Sequence, residues 1–181
     1  MNYVALLRGI NVGGNKKVEM KKLKTVFEQH DCTDVSTYIN SGNVIFASSL
    51  SKAKLMERVS KWIEDAFGFE VATLVKTQQE MKEIAAAIPQ DWRNDELHQS
   101  YVAYLFPAID SPSVIDDLPF IKDYVDLRYV HGAFIWNVDR ANYNKSHANK
   151  LIGHRLYKDI TMRNVNTARY LAEDQTEAKS R

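Results

Sequence analysis

The chain has 181 residues, 45% hydrophobic and 26% charged, with a formal net charge of +1 at pH 7. Those are the proportions of an ordinary globular protein, so a wholly disordered chain is excluded, and the length is enough to bury one substantial core or two small ones. The apolar runs are far too short to span a bilayer, so no membrane association is expected.

Residues 2–8 carry the apolar run Tyr3-Val4-Ala5-Leu6-Leu7, broken at once by Arg8. The run reads as a strand rather than a signal peptide, because no small-residue cleavage pattern follows it. The single Cys32 has no partner for an internal disulfide and belongs to no multi-cysteine metal site. It fits a reducing compartment, and the expected location is cytoplasmic. A loop rich in glycine and asparagine occupies residues 9–17. Leu23, Val26, Phe27 and His30 then recur at three- and four-residue spacing, one stripe of an amphipathic helix. Residues 35–39 and 44–47 read as short strands joined by the hairpin turn Asn40-Ser41-Gly42-Asn43. Ser51 is placed to cap a second helix with the stripe Leu55, Val59, Trp62, Ile63 and Ala66, and Gly68 suits its left-handed stop. Residues 69–75 close this half as a fourth strand.

The second half begins with the capping box Thr77-Gln78-Gln79-Glu80, ahead of a helix carrying Met81, Ile84, Ala85 and Ile88. Pro89 stops that helix, and residues 90–99 form a polar connector. Residues 101–106 are a strand. Ser111-Pro112 starts a short helix that ends near Leu118-Pro119. Residues 127–130 and 133–138 form a hairpin across His131-Gly132. Ser146 caps a helix running through Leu151, Ile152 and Arg155. Residues 160–163 are a brief strand, and Asn164 caps a last helix through Leu171.

The expected fold is therefore α+β, two ferredoxin-like βαββαβ units. Residues 1–76 form the N-terminal half; residues 77–181 form the helix and connector plus the C-terminal half. Right-handed crossovers give each unit an antiparallel sheet in the strand order four, one, three, two, with its helices packed on one face. The order of elements repeats, although the two halves do not align as sequence. Residues 3–7 and 133–136 are apolar on both strand faces, which predicts that the sheet face away from the helices is covered too, most simply by the other half.

Charge is segregated along the chain. Residues 1–76 carry 11 basic and 8 acidic side chains, residues 77–127 carry 3 basic and 10 acidic, and residues 128–169 carry 8 basic and 2 acidic. Such blocks form solvated faces that attract one another, or a basic surface for an anionic partner beside an acidic lobe that repels wrong docking.

The topology brings two polar segments to one sheet edge. Strands one and two run in the same direction, so the loop after the first and the hairpin after the second leave from the same end. Arg8, Asn11, Gly13, Gly14, Asn15, Lys16 and Lys17 come from the loop; Asn40, Ser41 and Asn43 come from the hairpin. Glycines let successive backbone N–H groups converge on an anion, and the following helix adds the positive end of its dipole. Arg8 offers a planar fork and the lysines mobile charges. The loop lacks the Gly-x-x-x-x-Gly-Lys-Ser/Thr pattern of a P-loop, and the spacing of Gly9, Gly13 and Gly14 is not that of a dinucleotide fingerprint. The competing reading is that the glycines only shape a long turn and the hairpin residues only build a hairpin. Arg163, between a strand and the last helix, is a further candidate for an anion at a helix entrance.

Other constellations are weaker. His147 and His154 are seven residues apart with no third ligand in reach, so no metal site is expected. Cys32 beside His30 and Asp31 makes no triad by adjacency alone. No cofactor motif is present, and no feature sets an oligomeric state.

Leu6-Leu7-Arg8-Gly9-Ile10-Asn11-Val12-Gly13-Gly14 with residues 18–23 behind it, and Tyr38-Ile39-Asn40-Ser41-Gly42-Asn43-Val44, resemble the bacterial family defined only as a domain of unknown function, number 1697. Residues 161–167 are similar to its C-terminal signature. The resemblance implies a paired ferredoxin-like fold and brings no established reaction, cofactor or catalytic residue.

Three classes of function fit this pattern. The favoured one is a binding module for a phosphate-bearing small ligand, a nucleotide, using the 8–17 loop. Single-stranded nucleic acid is the less favoured partner, since the net charge is small and no aromatic stacking platform is evident. The alternatives are a small enzyme using the same loop with Arg163, in which no nucleophile and base pair stands out, and a structural or protein-interaction domain.

Overall fold

A computed structural model describes residues 1–14 and 16–173, so Asn15 of the loop lies outside the described residues. The chain divides into two compact units, Met1–Gln79 and a second one starting at Glu80.

The first unit runs β1 (Asn2–Leu7), α1 (Met20–Glu28), β2 (Thr33–Tyr38), β3 (Asn43–Ala47), α2 (Lys52–Phe67) and β4 (Thr73–Thr77). Its four-stranded sheet has the order β2-β3-β1-β4, every pair antiparallel. β1 lies between β3 and β4, and Tyr3 through Leu7 are all buried, as expected of a strand that is apolar on both faces. Leu23, Val26 and Phe27 of α1 and Leu55, Val59 and Ile63 of α2 pack with Tyr3, Ala5, Leu7, Val44 and Phe46 of the sheet. Each of these large side chains contributes about 1.5–3 kcal/mol by leaving water. Phe27 lies edge-on to Phe46, with ring centroids 4.9 Å apart. The predicted limits of α2 hold: the Ser51 hydroxyl accepts from the Lys54 N–H at 3.4 Å, and Gly68 ends the helix in the left-handed region with φ 80°.

The strand boundaries differ from the sequence expectation at β2, which runs Thr33–Tyr38, and at β4, which runs Thr73–Thr77. β4 starts at Thr73 rather than residue 69, and the Glu70 carbonyl is taken by the Lys16 ammonium at 2.8 Å instead of by a neighbouring strand. β2 stops at Tyr38, because Ile39 turns into the left-handed region with φ 48°.

The helix α3 (Gln78–Ala86) crosses the division between the units. Then come β5 (His98–Leu105), β6 (Asp126–Val130), β7 (Ala133–Asp139), β8 (Ile160–Asn164) and α4 (Val165–Ala172). The second sheet, β6-β7-β5-β8, repeats the order of the first and is again antiparallel throughout. β5 takes in His98 and Gln99, which pair with Asp139 and Val138, so the polar connector is shorter than expected.

The helical layer of this unit is the main correction. Where helices were expected after Ser111 and Ser146, the chain forms short 3-10 runs, Pro112–Asp117, Ala148–Gly153 and Arg155–Asp159. His147 is left-handed with φ 60° and His154 is extended, so no α-helix carries through from Ser146 to Arg155. Leu151 still packs in the core with Val114, Leu118, Ala148, Leu156, Phe134 and Trp136, whereas Ile152 is exposed. The last helix stands as predicted, with the Asn164 side chain accepting from the Thr167 N–H at 2.8 Å. Among the described residues no helix is long and apolar enough to cross a membrane.

Candidate functional site

At the end of β1 the chain is held on both sides. The Leu7 N–H donates to the Gly42 carbonyl at 2.8 Å, and the Arg8 N–H donates to the Ala72 carbonyl at 2.9 Å. The loop that follows is anchored in the core by Ile10 and Val18, both buried. Between these anchors the backbone turns through left-handed conformations at Asn11, Gly13, Gly14 and Lys16.

Asn11 organises the edge. Its amide donates to the Val18 carbonyl at 3.0 Å and to the Asn40 carbonyl at 2.9 Å, while its side-chain oxygen accepts from the Val18 N–H at 2.9 Å. One side chain therefore ties together the start of the loop, the approach to α1 and the hairpin. Asparagine suits the place twice over, since it offers donor and acceptor together and tolerates a left-handed backbone. Around it lies an open groove of about 480 Å³ lined by Asn11, Gly14, Lys17, Val18, Glu19, Met20 and Asn40. The groove reaches the start of α1, where Glu19 occupies the cap position without making a side-chain cap hydrogen bond. N–H groups of a first helical turn have no partner within the helix and point outward along its axis.

The other expected residues have different places. Arg8 is half-buried at the end of β1, and Gly13 is exposed in the loop. The Lys16 ammonium spans to the Glu70 carbonyl, outside the groove lining. Asn43 is 0% exposed; its amide donates to the Tyr38 carbonyl at 2.9 Å and the Ser41 hydroxyl at 3.0 Å, so this pair builds the hairpin from within. Glu19 and Met20 line the groove and were missed, because the sequence marks them only as the lead-in to a helix.

Arg163 belongs to the second unit. It sits on β8 opposite Val102, is 6% exposed, and donates to the Thr161 hydroxyl at 3.0 Å and the Met162 carbonyl at 2.7 Å. Burial pulls its pKa down to about 10, with the Tyr104 phenol acting in the opposite direction. The entrance to α4 next to it is capped by Asn164, as the sequence predicts.

Cys32 is 4% exposed, and burial pushes its thiol up to about 11; the Ser48 hydroxyl opposes the rise and Asp31 adds to it. A nucleophilic cysteine needs the reverse environment. Alkylation at pH 7.5 is therefore expected to run at least about a hundredfold slower than for a free thiol, following the thiolate fraction. Its rate should rise only with denaturant, and rapid labelling of the folded chain would contradict the buried assignment.

The charge blocks of the second unit are largely spent on internal contacts. Arg155 pairs with Asp117 at 2.7 Å, Arg128 with Asp126 at 2.9 Å, and Arg169 donates to the Trp92 and Pro89 carbonyls. His98 stands between Asp95 at 3.3 Å and Asp139 at 3.6 Å, and His131 lies 3.4 Å from Asp110. Among the described residues no three His, Cys, Asp or Glu side chains are grouped as metal ligands would be.

A family model described as "Protein of unknown function (DUF1697)" matches residues 1–136, which takes in the loop and the hairpin. The solved structure of conserved bacterial protein SP0830 from Streptococcus pneumoniae is similar along almost the full length. Its TM-score is 0.81 at 27% identity, covering 94% of this chain and 96% of that one. No curated protein matches the chain.

Proposed function

The chain belongs to the family described as protein of unknown function (DUF1697), and, since that membership brings no reaction with it, we propose from the residues themselves that the first unit binds a small phosphate-bearing ligand, a nucleotide, in the groove at the start of α1. The observation that carries the reading is the three-bond Asn11 junction, which joins loop, helix approach and hairpin around one open groove. The groove's volume falls in the range of about 300–1,000 Å³ common to small-molecule sites. Lys17 supplies a cationic side chain in its lining, the uncapped first turn of α1 supplies N–H donors and a positive dipole end, and Gly14 lets backbone come close to a ligand. Glu19 in the same lining disfavours a ligand that is anionic throughout, so the phosphate belongs at the Lys17 side. A nucleic-acid polymer is disfavoured, because the arginines of the basic block are mostly committed to contacts inside the second unit.

The test is a thermal-shift series with inorganic phosphate and nucleoside mono-, di- and triphosphates. A ligand at a hundred times its dissociation constant stabilises by about 2.7 kcal/mol, a shift of about 10–20 °C for a unit of this size. Lys17→Ala is expected to weaken binding about tenfold, equivalent to about 1.4 kcal/mol, with the melting temperature of the unliganded protein unchanged. A flat response to every phosphate compound rejects the reading.

A further inference from the structure

We infer that the first unit holds a second small-molecule site, at the opposite end of its sheet from the Asn11 groove, and that its ligand is a free α-amino acid. A pocket of about 190 Å³ lies there, between the turn that follows α1 and the segment that leads from β3 into α2. His30, Asp31, Ser48, Leu50, Arg58 and Trp62 are among the residues that line it.

The walls of this pocket are held in place. The His30 ring lies flat on the Trp62 indole, with centroids 4.3 Å apart and planes 6° from parallel. Trp62 in turn meets Phe27 of the core edge-on at 6.1 Å. The segment before α2 is fixed by the Tyr3 phenol, which donates to the Leu50 carbonyl at 2.9 Å. The Ser48 hydroxyl accepts from the Leu50 N–H at 3.2 Å, which closes the same bend from within. Arg58 and Trp62 are four residues apart on α2, so they stand one above the other on one face of the helix. The stacked His30 brings the turn after α1 onto that face. Arg58 and Asp31 therefore line one pocket from two separate elements.

The chemistry of the lining narrows the ligand. Arg58 and Asp31 bring one positive and one negative charge, and among the described residues neither makes an ion pair. Both are exposed, so packing does not call for them. Asp31 has φ 59°, and asparagine or glycine holds a left-handed turn as well as aspartate does, so the turn does not call for its charge either. A ligand that is only anionic is repelled by Asp31, and one that is only cationic is repelled by Arg58. A zwitterion satisfies both, with its carboxylate on the planar fork of Arg58 and its ammonium at Asp31. Leu50 and Trp62 offer apolar surface to the rest of the molecule. The volume sets the size: it holds about six waters at about 30 Å³ each, the bulk of an amino acid. It falls below the range of about 300–1,000 Å³ that drug-sized ligands occupy, so a nucleotide is too large.

A thermal-shift screen of the full chain with the standard amino acids at millimolar concentration, at pH 7, identifies the ligand. At least one is expected to stabilise the protein. Titration calorimetry then compares that amino acid with its deaminated acid and its decarboxylated amine, each of which keeps the side chain and one charge. Both analogues are expected to bind about tenfold or more weakly. Arg58→Gln and Asp31→Asn should each weaken the amino acid by a similar factor. Both positions are exposed and asparagine accepts the left-handed backbone, so both variants fold. The inference is overturned if no amino acid binds, if either analogue binds as tightly as the amino acid, or if either variant keeps the parent affinity.

Discussion

Alanine at position 42 is expected to destabilise the first unit by about 2–5 kcal/mol, from two additive costs. Gly42 has φ 80°, and a side chain in that left-handed conformation costs roughly 1–2 kcal/mol. A Cβ there would also lie 2.7 Å from both Leu7 Cβ and Ile10 Cδ1. Those neighbours have little room to yield, since Leu7 and Ile10 are buried in the core under the loop, and overpacking of this kind costs typically about 1–3 kcal/mol. For a unit of 60–100 residues each kcal/mol moves the melting temperature by about 4–8 °C, so the drop is on the order of 10 °C or more. Gly14→Ala is the control. Its φ is 79°, nearly the same, but no heavy atom lies within 4 Å of the added carbon, so only the conformational cost applies. Urea denaturation of the two variants measures the packing contribution as their difference. Equal losses would mean that the hairpin does not press against Leu7 and Ile10.

That close approach also explains why the hairpin looked ordinary as sequence. Asn40-Ser41-Gly42-Asn43 satisfies the demands of any tight turn, and nothing in its composition says which side chains face inward. The structure puts Asn43 inside and Asn40 on the groove, although the two residues are identical in type and three positions apart. Lys16 and Lys17 divide in the same way, one reaching the Glu70 carbonyl and the other lining the groove. The meeting of loop and hairpin was legible for a simpler reason. In a β2-β3-β1-β4 sheet the ends of β1 and β2 lie at one edge whatever the side chains are. The helices of the first unit were legible at both ends of α2, where Ser51 and Gly68 act locally. In the second unit the expected helix through Leu151, Ile152 and Arg155 has Leu151 in the core and Ile152 exposed, and the spacing did not separate an α-helix from successive 3-10 runs, because both bring residues three apart to one face. The burial of Arg163 was not legible: on β8 it follows Thr161 by two residues and shares its face, and both are buried.

The substitution Asn11→Asp is expected to cost about 1–3 kcal/mol at pH 7, most of it from two lost donors. Aspartate keeps the acceptor that receives the Val18 N–H and tolerates the left-handed backbone, where φ is 55°. What changes is the other half of the side chain: a carboxylate oxygen now faces the Val18 and Asn40 carbonyls that the amide approached at 3.0 and 2.9 Å. Facing acceptors, the carboxyl group prefers to keep its proton, so its pKa in the folded variant lies above the unfolded value of about 3.9. The unfolded state then releases the proton first as pH rises, and stability falls across that interval. The penalty is full above the folded pKa and is partly relieved below about pH 4, where the protonated group donates one of the two missing bonds. Asn11→Ala loses all three hydrogen bonds and adds the left-handed cost, yet introduces no titrating group, so its deficit relative to the parent protein stays constant with pH. Denaturation of the parent and both variants at pH 3.5 and pH 7 reads this directly. A deficit for Asn11→Asp that does not shrink at the lower pH would mean that the amide donors do not hold the loop to the hairpin. Both variants are also expected to lose the response to phosphate ligands while still folded, because the groove exists only while Asn11 joins its two walls.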